Sequence, residues 1–200
     1  KELLNLVDYS EIINRSGINS ETEEISSISS YSDNTVAGCI FVCIAGSVVD
    51  GHEYAHSAYA RGCRAFVAEH KVDIPDDAYV IIVKDSRKAL AQLSAAFFDY
   101  PANKMTLIGI TGTKGKTTSS LLIYNILKDS GIPVGYIGSN GVSYNDTQAS
   151  TVNTTPESYF LHEYLRKMYD EGVRTVVMEV SSQALKMARV YGIKFDIGVF

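Results

Sequence analysis

A glycine-rich segment at residues 112–118 (GTKGKTT) lies between an apolar run and a helix-forming stretch, and this order restricts the fold most strongly. The run before it, residues 107–110, has the composition of a buried strand, and residues 119–127 have that of a helix. A strand, a glycine turn and a helix in this order are typical of parallel sheets with helical crossovers. The sequence therefore predicts an α/β fold.

The same segment has the chemistry of a phosphate-binding loop. Backbone N–H groups of such a loop and the positive end of the following helix attract anions, Lys116 can reach phosphates, and the Thr117 hydroxyl can ligate Mg²⁺. The candidate nucleotide-binding residues are Gly112, Thr113, Lys114, Gly115, Lys116, Thr117 and Thr118. The usual spacing is not met, because Ile110 stands where the first glycine is expected. The alternative interpretation is an ordinary glycine turn with a chance Gly-Lys-Thr.

Charge and cysteine content exclude several classes of protein. The 200 residues carry a net charge of −5, which does not favour a nucleic-acid partner. No apolar run approaches the ~20 residues of a membrane span, and Asp8 and Glu11 interrupt any secretory signal. The odd number of cysteines fits a reducing compartment, and we expect buried, inert thiols. We therefore predict a cytoplasmic monomer without nucleic-acid or membrane partners.

The alternation of apolar runs and helical patterns predicts two domains. Residues 1–100 form a small α/β domain, with a helix in residues 1–20 and strands at 38–44, 65–68 and 79–83. Residues 100–104 are the linker. Residues 101–200 form a P-loop-type, parallel-sheet domain. Its predicted elements are strands at 107–110, 132–138, 174–180 and 195–200, a hairpin or loop at 141–152, and helices at 119–127 and 158–171.

Polar residues follow two further predicted strands of the second domain. Ligands of open parallel sheets bind beyond the carboxyl ends of the strands, where Asn153, Thr154, Thr155 and the segment from Glu179 to Ser181 are expected. A carboxylate at such a strand end can bind Mg²⁺ or its water shell. The alternatives are helix-capping threonines and a solvated strand-end carboxylate. No base lies near Ser181 or Ser182 in sequence, so a nucleophilic serine is not predicted.

The sequence contains one pattern that is typical of zinc-binding sites. Residues 52–56 (HEYAH) match H-E-x-x-H, but the match stands at the start of a predicted helix, and no third ligand follows at a suitable spacing. We therefore do not predict a zinc site. His70 and His162 are isolated and are predicted to be surface or packing residues.

Several of these motifs resemble those of the Mur ligases of peptidoglycan synthesis. Residues 111–118 resemble the ATP loop of that family, which implies that residues 101–200 are an ATP-binding domain that is incomplete at its C-terminal end. Residues 153–156 (NTTP) and 178–185 (MEVSSQAL) resemble motifs of the member that adds the third amino acid of the peptide. Residues 37–42 (AGCIFV) and 50–52 (DGH) resemble its nucleotide-sugar domain, so the resemblance extends over nearly the whole chain.

The resemblance implies ATP and Mg²⁺ as cofactors, with Lys116 and Glu179 as catalytic residues and Thr117 and Glu179 as Mg²⁺ ligands. The residues that would hold the UDP-muramoyl peptide are Ser32, Ser47, Asn153, Thr154, Thr155, Ser181 and Arg189. Two positions depart from the family pattern. Asp33 follows Ser32 where an arginine is expected, and Met187 stands where some members carry a glutamine.

The implied reaction joins L-lysine or meso-diaminopimelate to UDP-N-acetylmuramoyl-L-alanyl-D-glutamate, through an acyl phosphate formed from ATP. The partners would be this UDP-linked dipeptide and a free amino acid. Members of the family carry a carbamoylated lysine and a third domain after the segment that residues 1–200 resemble, so we expect these residues alone to be an inactive fragment. Two alternatives from other classes are a P-loop kinase or NTPase and a non-catalytic UDP-sugar-binding module built from residues 1–100.

Overall fold

The structure is a computed structural model that describes residues 6–14, 24–46 and 49–200, and in it the chain falls into two units. The first unit is Lys1–Leu93 and the second is Ser94–Phe200. The division falls inside one helix, since α2 extends over Ser86–Phe97. The predicted boundary between functional domains, at residues 100 and 101, stays a prediction.

The first unit is built on a five-stranded sheet in the order β1-β5-β4-β3-β2. Its strands are β1 Tyr9–Asn14, β2 Ser27–Ser29, β3 Cys39–Val42, β4 Ala65–Ala68 and β5 Tyr79–Val83. All neighbours are parallel except β1, which is antiparallel to β5. Helix α1 is Ala55–Ala60, and short 3₁₀ helices occupy Ser32–Asn34 and Gly51–Tyr54.

The prediction of a helix in residues 1–20 is wrong for the described part of that segment. Residues Tyr9–Asn14 form the edge strand β1, in which Ile12 pairs with Ile81 and Ile13 with Val80. Isoleucine is β-branched and fits a pleated, half-buried surface, so pairing with β5 outweighs a loose helical spacing. The remainder of the predicted helix, residues 1–5 and 15–20, lies outside the described residues.

The core of the first unit packs helix α1 against one face of its sheet. Alternate residues of β3 point to this face, and Phe41 meets Phe66 of β4 edge to face at 6.1 Å. Ala55 and Ala58 of α1 join the same cluster. The three cysteines are buried and free, as predicted, and burial raises the pKa of the Cys43 thiol to about 12.

The second unit is built on a six-stranded sheet in the order β11-β6-β10-β7-β8-β9. The strands are β6 Thr106–Ile110, β7 Val134–Gly138, β8 Gly141–Tyr144, β9 Thr147–Ala149, β10 Thr175–Glu179 and β11 Ile197–Val199. The helices are α3 Lys116–Asp129, α4 Ser158–Asp170 and α5 Ser182–Lys186, after a 3₁₀ helix at Pro101–Lys104. The predicted parallel strands and the hairpin are confirmed.

Strand alternation divides the core of the second unit into two clusters. On one face, Val176 and Met178 of β10 pack with Leu161, Leu165 and Met168 of α4. On the other face, Val177 and Tyr136 pack with Tyr124 of α3. The sheet is therefore covered by α4 on one face and by α3 on the other. Among the described residues, no helix combines the length and apolar composition that a membrane span requires.

His162 is a buried packing residue of α4, as predicted. Its side chain is 1% exposed, and neither ring nitrogen has a hydrogen-bond partner among the described residues. Burial disfavours the charged imidazolium and lowers the pKa of His162 to about 4. The unfolded chain, with an ordinary histidine pKa, therefore binds a proton at a higher pH than the folded chain does.

We expect this histidine to make the second unit less stable as the pH falls from about 6.5 towards 4. The free energy of unfolding is at its full value above the histidine pKa of the unfolded chain. It falls on acidification towards the pKa of the folded chain, by roughly 3 kcal/mol in all. Urea unfolding at several pH values should show a weaker acid dependence for His162→Leu than for the unaltered chain. His56→Leu, at an exposed histidine, is the control. An unchanged acid dependence in His162→Leu would contradict this account.

Candidate functional site

The loop between β6 and α3 has the backbone of an anion-binding turn. Gly112 and Gly115 adopt φ values of 133° and 82°, which residues with a side chain rarely adopt. Gly115 also stands at the N-terminus of α3, so the free N–H groups of the first turn open towards the loop. The Lys116 ammonium donates to the carbonyl oxygen of Gly112 at 2.9 Å and thus lies over the loop. An anion bound here would contact the backbone N–H groups of the first turn and the Lys116 ammonium.

Glu179, at the end of β10, is fully buried beside this loop. Register places it opposite Ile110, the residue at which the loop begins. Thr117 donates its hydroxyl hydrogen to Glu179 Oε2 at 2.9 Å. The alternative of a solvated carboxylate is therefore wrong, because the described fold removes Glu179 from water.

Two residues that sequence analysis did not single out complete the shell of Glu179. The Tyr136 hydroxyl donates to Oε1 at 2.7 Å, and the Ser139 N–H donates to the same oxygen at 2.9 Å. The Ser139 hydroxyl donates to Oε2 at 3.2 Å. Burial and the contact with the Glu179 carboxylate raise the pKa of Tyr136 to about 12, so its phenol keeps its proton at neutral pH. The position of Ser139, one residue after β7, was the available signal, because ligands meet such strand ends.

The oxygen atoms around Thr117 and Glu179 fit a magnesium ion. Mg²⁺ binds hard oxygen ligands, typically one or two carboxylates together with phosphates and water. The Thr117 hydroxyl and Glu179 Oε2 are oxygen atoms of this kind, and they are in direct contact at the end of the phosphate-type loop. A cation bound between them would replace the hydrogen bond that the hydroxyl now donates. The donor set is therefore suited to a nucleotide with its divalent ion.

The segment that precedes α4 lies at the same edge of the sheet. The Thr154 hydroxyl is 3.1 Å from that of Ser139, which connects this segment to the Glu179 shell. Thr155 is fully buried, and its hydroxyl donates to the Glu179 carbonyl oxygen at 2.8 Å and accepts from the Ser181 N–H at 3.1 Å. Ser181 in turn caps α5 through the N–H of Ala184. The hydroxyl of Thr155 thus holds together the two segments that carry the predicted substrate residues.

Arg189 connects the turn after α5 to the segment that precedes α4. Its guanidinium donates to the Thr155 carbonyl oxygen at 3.1 Å and pairs with Glu157 at 2.6 Å, and only 7% of the residue is exposed. The residue before it, Ala188, has a φ of 53°, a left-handed conformation that is costly for a residue with a side chain. The Arg189 guanidinium is therefore engaged with Thr155 and Glu157 of its own chain.

The first unit contains a cavity of about 340 Å³ around Ser32. Its walls come from the turn after β2 and from the loop and 3₁₀ helix after β3, and they comprise Ser30, Tyr31, Ser32, Asp33, Ile44, Val49, Gly51 and Tyr54. Asp33, at the position where an arginine was expected, pairs with Arg61 at 3.0 Å. The Asp33 side chain is largely exposed and that of Arg61 is about half exposed, so this pair contributes little to stability. Ser47 lies outside the described residues.

His52 of the HEYAH segment has no lone pair left for a metal. Its Nε2 accepts from the Glu69 N–H at 3.0 Å, so this nitrogen carries no proton. Nδ1 must then hold the ring proton, which it donates to Asp50 at 2.5 Å. Asp50, His52 and His70 lie close together, but the ring of His52 is committed to this structural contact. The His52 ring thus connects Asp50 to the backbone of Glu69 within the first unit.

Replacing the Thr155 hydroxyl should destabilise the second unit. Thr155→Val leaves the Ser181 N–H without its acceptor and the Glu179 carbonyl without this donor, which should lower the free energy of unfolding by about 1–3 kcal/mol. Thr155→Ser keeps the hydroxyl and should lose less. Thr118→Val, at an exposed threonine of α3, is the control in urea unfolding. Unaltered stability of Thr155→Val would show that these hydrogen bonds contribute nothing.

Comparison with protein families and known sequences identifies relatives of both units. The description "Mur ligase middle domain" matches residues 110–200, and "Mur ligase family, catalytic domain" matches residues 24–98. The UDP-N-acetylmuramoyl-L-alanyl-D-glutamate--2,6-diaminopimelate ligase of Bacillus licheniformis is 46% identical over 180 residues. These are 90% of this chain and 36% of that protein, so the chain spans about a third of the relative.

Solved structures of such ligases share the fold. A ligase of the same name superposes with a TM-score of 0.75, over 93% of this chain and 38% of that chain, at 21% identity. The MurF ligase of Thermotoga maritima in complex with ADP superposes with a TM-score of 0.52, over 82% of this chain and 34% of that chain, at 24% identity. At these identities the likeness shows the α/β fold alone. The two family matches, which together extend over most of the chain, show that it belongs to the Mur ligase family.

Proposed function

We propose that the chain forms the nucleotide-binding and UDP-sugar-binding part of an ATP-dependent ligase of peptidoglycan precursor synthesis. The observation that carries this proposal is the contact between the Thr117 hydroxyl and the buried Glu179 carboxylate, at the mouth of a phosphate-type loop. In this proposal residues 101–200 bind ATP and residues 1–100 bind the UDP end of the substrate.

The second unit has a suitable site for the phosphates of ATP. Residues 112–118 and the first turn of α3 would hold the phosphates through backbone N–H groups, and Lys116 would neutralise part of their charge. Thr117 and Glu179 would hold Mg²⁺. When bound, Mg²⁺ supplies the positive charge that lowers the repulsion between phosphate and an approaching carboxylate.

The proposed reaction requires charge stabilisation and no enzyme nucleophile. A substrate carboxylate oxygen bonds to the γ-phosphorus as the bond to ADP breaks, giving an acyl phosphate. The amine nitrogen of the amino acid then bonds to the acyl carbon. The bond between the acyl carbon and the phosphate oxygen breaks, phosphate leaves, and the amine gives up a proton. Lys116 and the loop N–H groups would stabilise the charge that moves during these steps.

The edge beside the loop is the proposed site for the muramoyl peptide. Asn153, Thr154 and Ser181 are partly exposed there and would contact the substrate. Thr155 and Arg189 are buried, and we propose that they contribute by holding Thr154 and Ser181 in place. The cavity that Ser32 lines is the proposed site for the uridine end. The assignment of Ser47 to the same end depends on the resemblance alone.

We propose 2,6-diaminopimelate as the amino acid that is added. This is the amino acid in the name of the Bacillus licheniformis relative. The sequence motifs also allowed L-lysine, so L-lysine is the alternative substrate in the phosphate-release experiment. A cytoplasmic location and a monomeric state remain part of the proposal.

Loss of the loop lysine should weaken nucleotide binding by this chain. Calorimetric titration with ADP and Mg²⁺ should show at least about a tenfold higher Kd for Lys116→Ala, because a charge-assisted contact to phosphate is lost. Lys128→Ala, at an exposed lysine near the other end of α3, is the control and should bind like the unaltered chain. Equal affinity of all three proteins would contradict the assignment of the loop.

Separate titrations distinguish the proposed ligase from the two other classes. Binding of UDP without binding of ADP or ATP would indicate a UDP-sugar-binding module. ATP turnover without a muramoyl peptide would indicate a kinase or NTPase. In the full-length protein, phosphate release should require the UDP-linked dipeptide together with 2,6-diaminopimelate, and release with L-lysine instead would overturn the choice of amino acid.

A further inference from the structure

The two carboxylate oxygens of Glu179 have different partners, and this difference carries an inference about the metal site. Oε1 accepts from the Tyr136 hydroxyl at 2.7 Å and from the Ser139 N–H at 2.9 Å. Oε2 accepts from the hydroxyls of Thr117, at 2.9 Å, and of Ser139, at 3.2 Å. Oε1 is thus held by a strand residue and by the backbone, whereas the partners of Oε2 are rotatable hydroxyl groups.

The sheet register brings the Tyr136 phenol to Oε1. Tyr136 of β7 pairs with Val177 of β10, so Tyr136, Gly138 and Glu179 point to the same face of the sheet. The phenol reaches Glu179 by passing over Gly138. A Cβ at that position would lie 2.2 Å from the Tyr136 hydroxyl oxygen and 2.3 Å from Glu179 Oε1. Only glycine leaves room for this contact.

We propose that Tyr136 is a positioning residue: with the Ser139 N–H it fixes Glu179 Oε1, and so presents Oε2 to the divalent cation beside Thr117. The inference rests on the proposed function, since it assumes that Glu179 binds the cation of the nucleotide. The oxygen that binds the cation is then Oε2, and Tyr136 is the side chain that orients the carboxylate for this. Without the phenol, the carboxylate could rotate, and the cation would have to order it at a cost in affinity.

The test measures the Mg²⁺ requirement of nucleotide binding. ADP is titrated into the unaltered chain and into Tyr136→Phe, once in EDTA and then at increasing Mg²⁺ concentrations. Tyr136→Phe should need about five- to tenfold more Mg²⁺ for half of its full effect on ADP affinity, because one hydrogen bond to a charged group is lost. The affinity for ADP in EDTA should not change, since Tyr136 lies on the carboxylate and not on the loop.

Two further variants separate positioning from general destabilisation. Tyr144→Phe removes another buried tyrosine hydroxyl from the same sheet, and its Mg²⁺ requirement should be that of the unaltered chain. Gly138→Ala should raise the requirement at least as much as Tyr136→Phe does, because the added Cβ displaces both the Tyr136 hydroxyl and Glu179 Oε1 from their contact. Thermal unfolding of each variant, followed by circular dichroism, establishes that it is folded at the temperature of the titration.

Failure of this inference is distinguishable from failure of the proposed function. If the unaltered chain binds ADP with an affinity that Mg²⁺ does not change, the proposed metal site is wrong and the inference falls with it. If Mg²⁺ strengthens binding and Tyr136→Phe has an unchanged requirement, the metal site stands and the positioning role is overturned. In a Glu179→Gln background, Tyr136→Phe should have no further effect on the Mg²⁺ requirement, and a full additional effect would also overturn the role.

Discussion

The burial of the Glu179 carboxylate constrains how the strands and helix α3 of the second unit can be arranged. A charged group without water is stable only if its oxygens are fully hydrogen-bonded, and Glu179 obtains its donors from three residues in two separate segments of the chain. The three residues lie in the first turn of α3, in strand β7 and directly after that strand. Each must stand at the correct height relative to β10, so the parallel register and the buried charge depend on one another.

Because side chains alternate along each strand, Glu179 and Tyr136 lie on the face of this sheet opposite to the larger apolar cluster. On β10 the side chains that point to α4 are apolar and join the larger core cluster, whereas the side chains that point to α3 end in Glu179. The same alternation on β7 puts Tyr136 on the α3 face and Ile137 on the opposite one. A shift of either strand by one residue would exchange these faces, which explains how a few polar groups stay together in an apolar unit.

Sequence patterns predicted most strands and helices, and they failed where pairing over a long distance decided the outcome. Residues Tyr9–Asn14 have an ambiguous apolar spacing, and their partner in β5 is almost seventy positions away along the chain. Glu179 was found as a candidate ligand, but its burial could not be read from its neighbours, since the donors come from residues 117, 136 and 139. Tyr136 itself has the pattern of a core residue, and only its hydroxyl contact distinguishes it.

The sequence by itself determined the α/β class, the phosphate-type loop and the family motifs, because each depends on residues that are near one another in the chain. Glycines at 112 and 115, followed by a helix, permit the positive φ values that the loop requires. The tertiary structure decided the rest: which oxygen of Glu179 faces Thr117, that Arg189 is bound to Glu157, and that the His52 ring is committed to Asp50 and Glu69. These contacts join residues from different elements or depend on how a side chain is oriented, and only the packed sheet and its register bring such atoms within hydrogen-bonding distance.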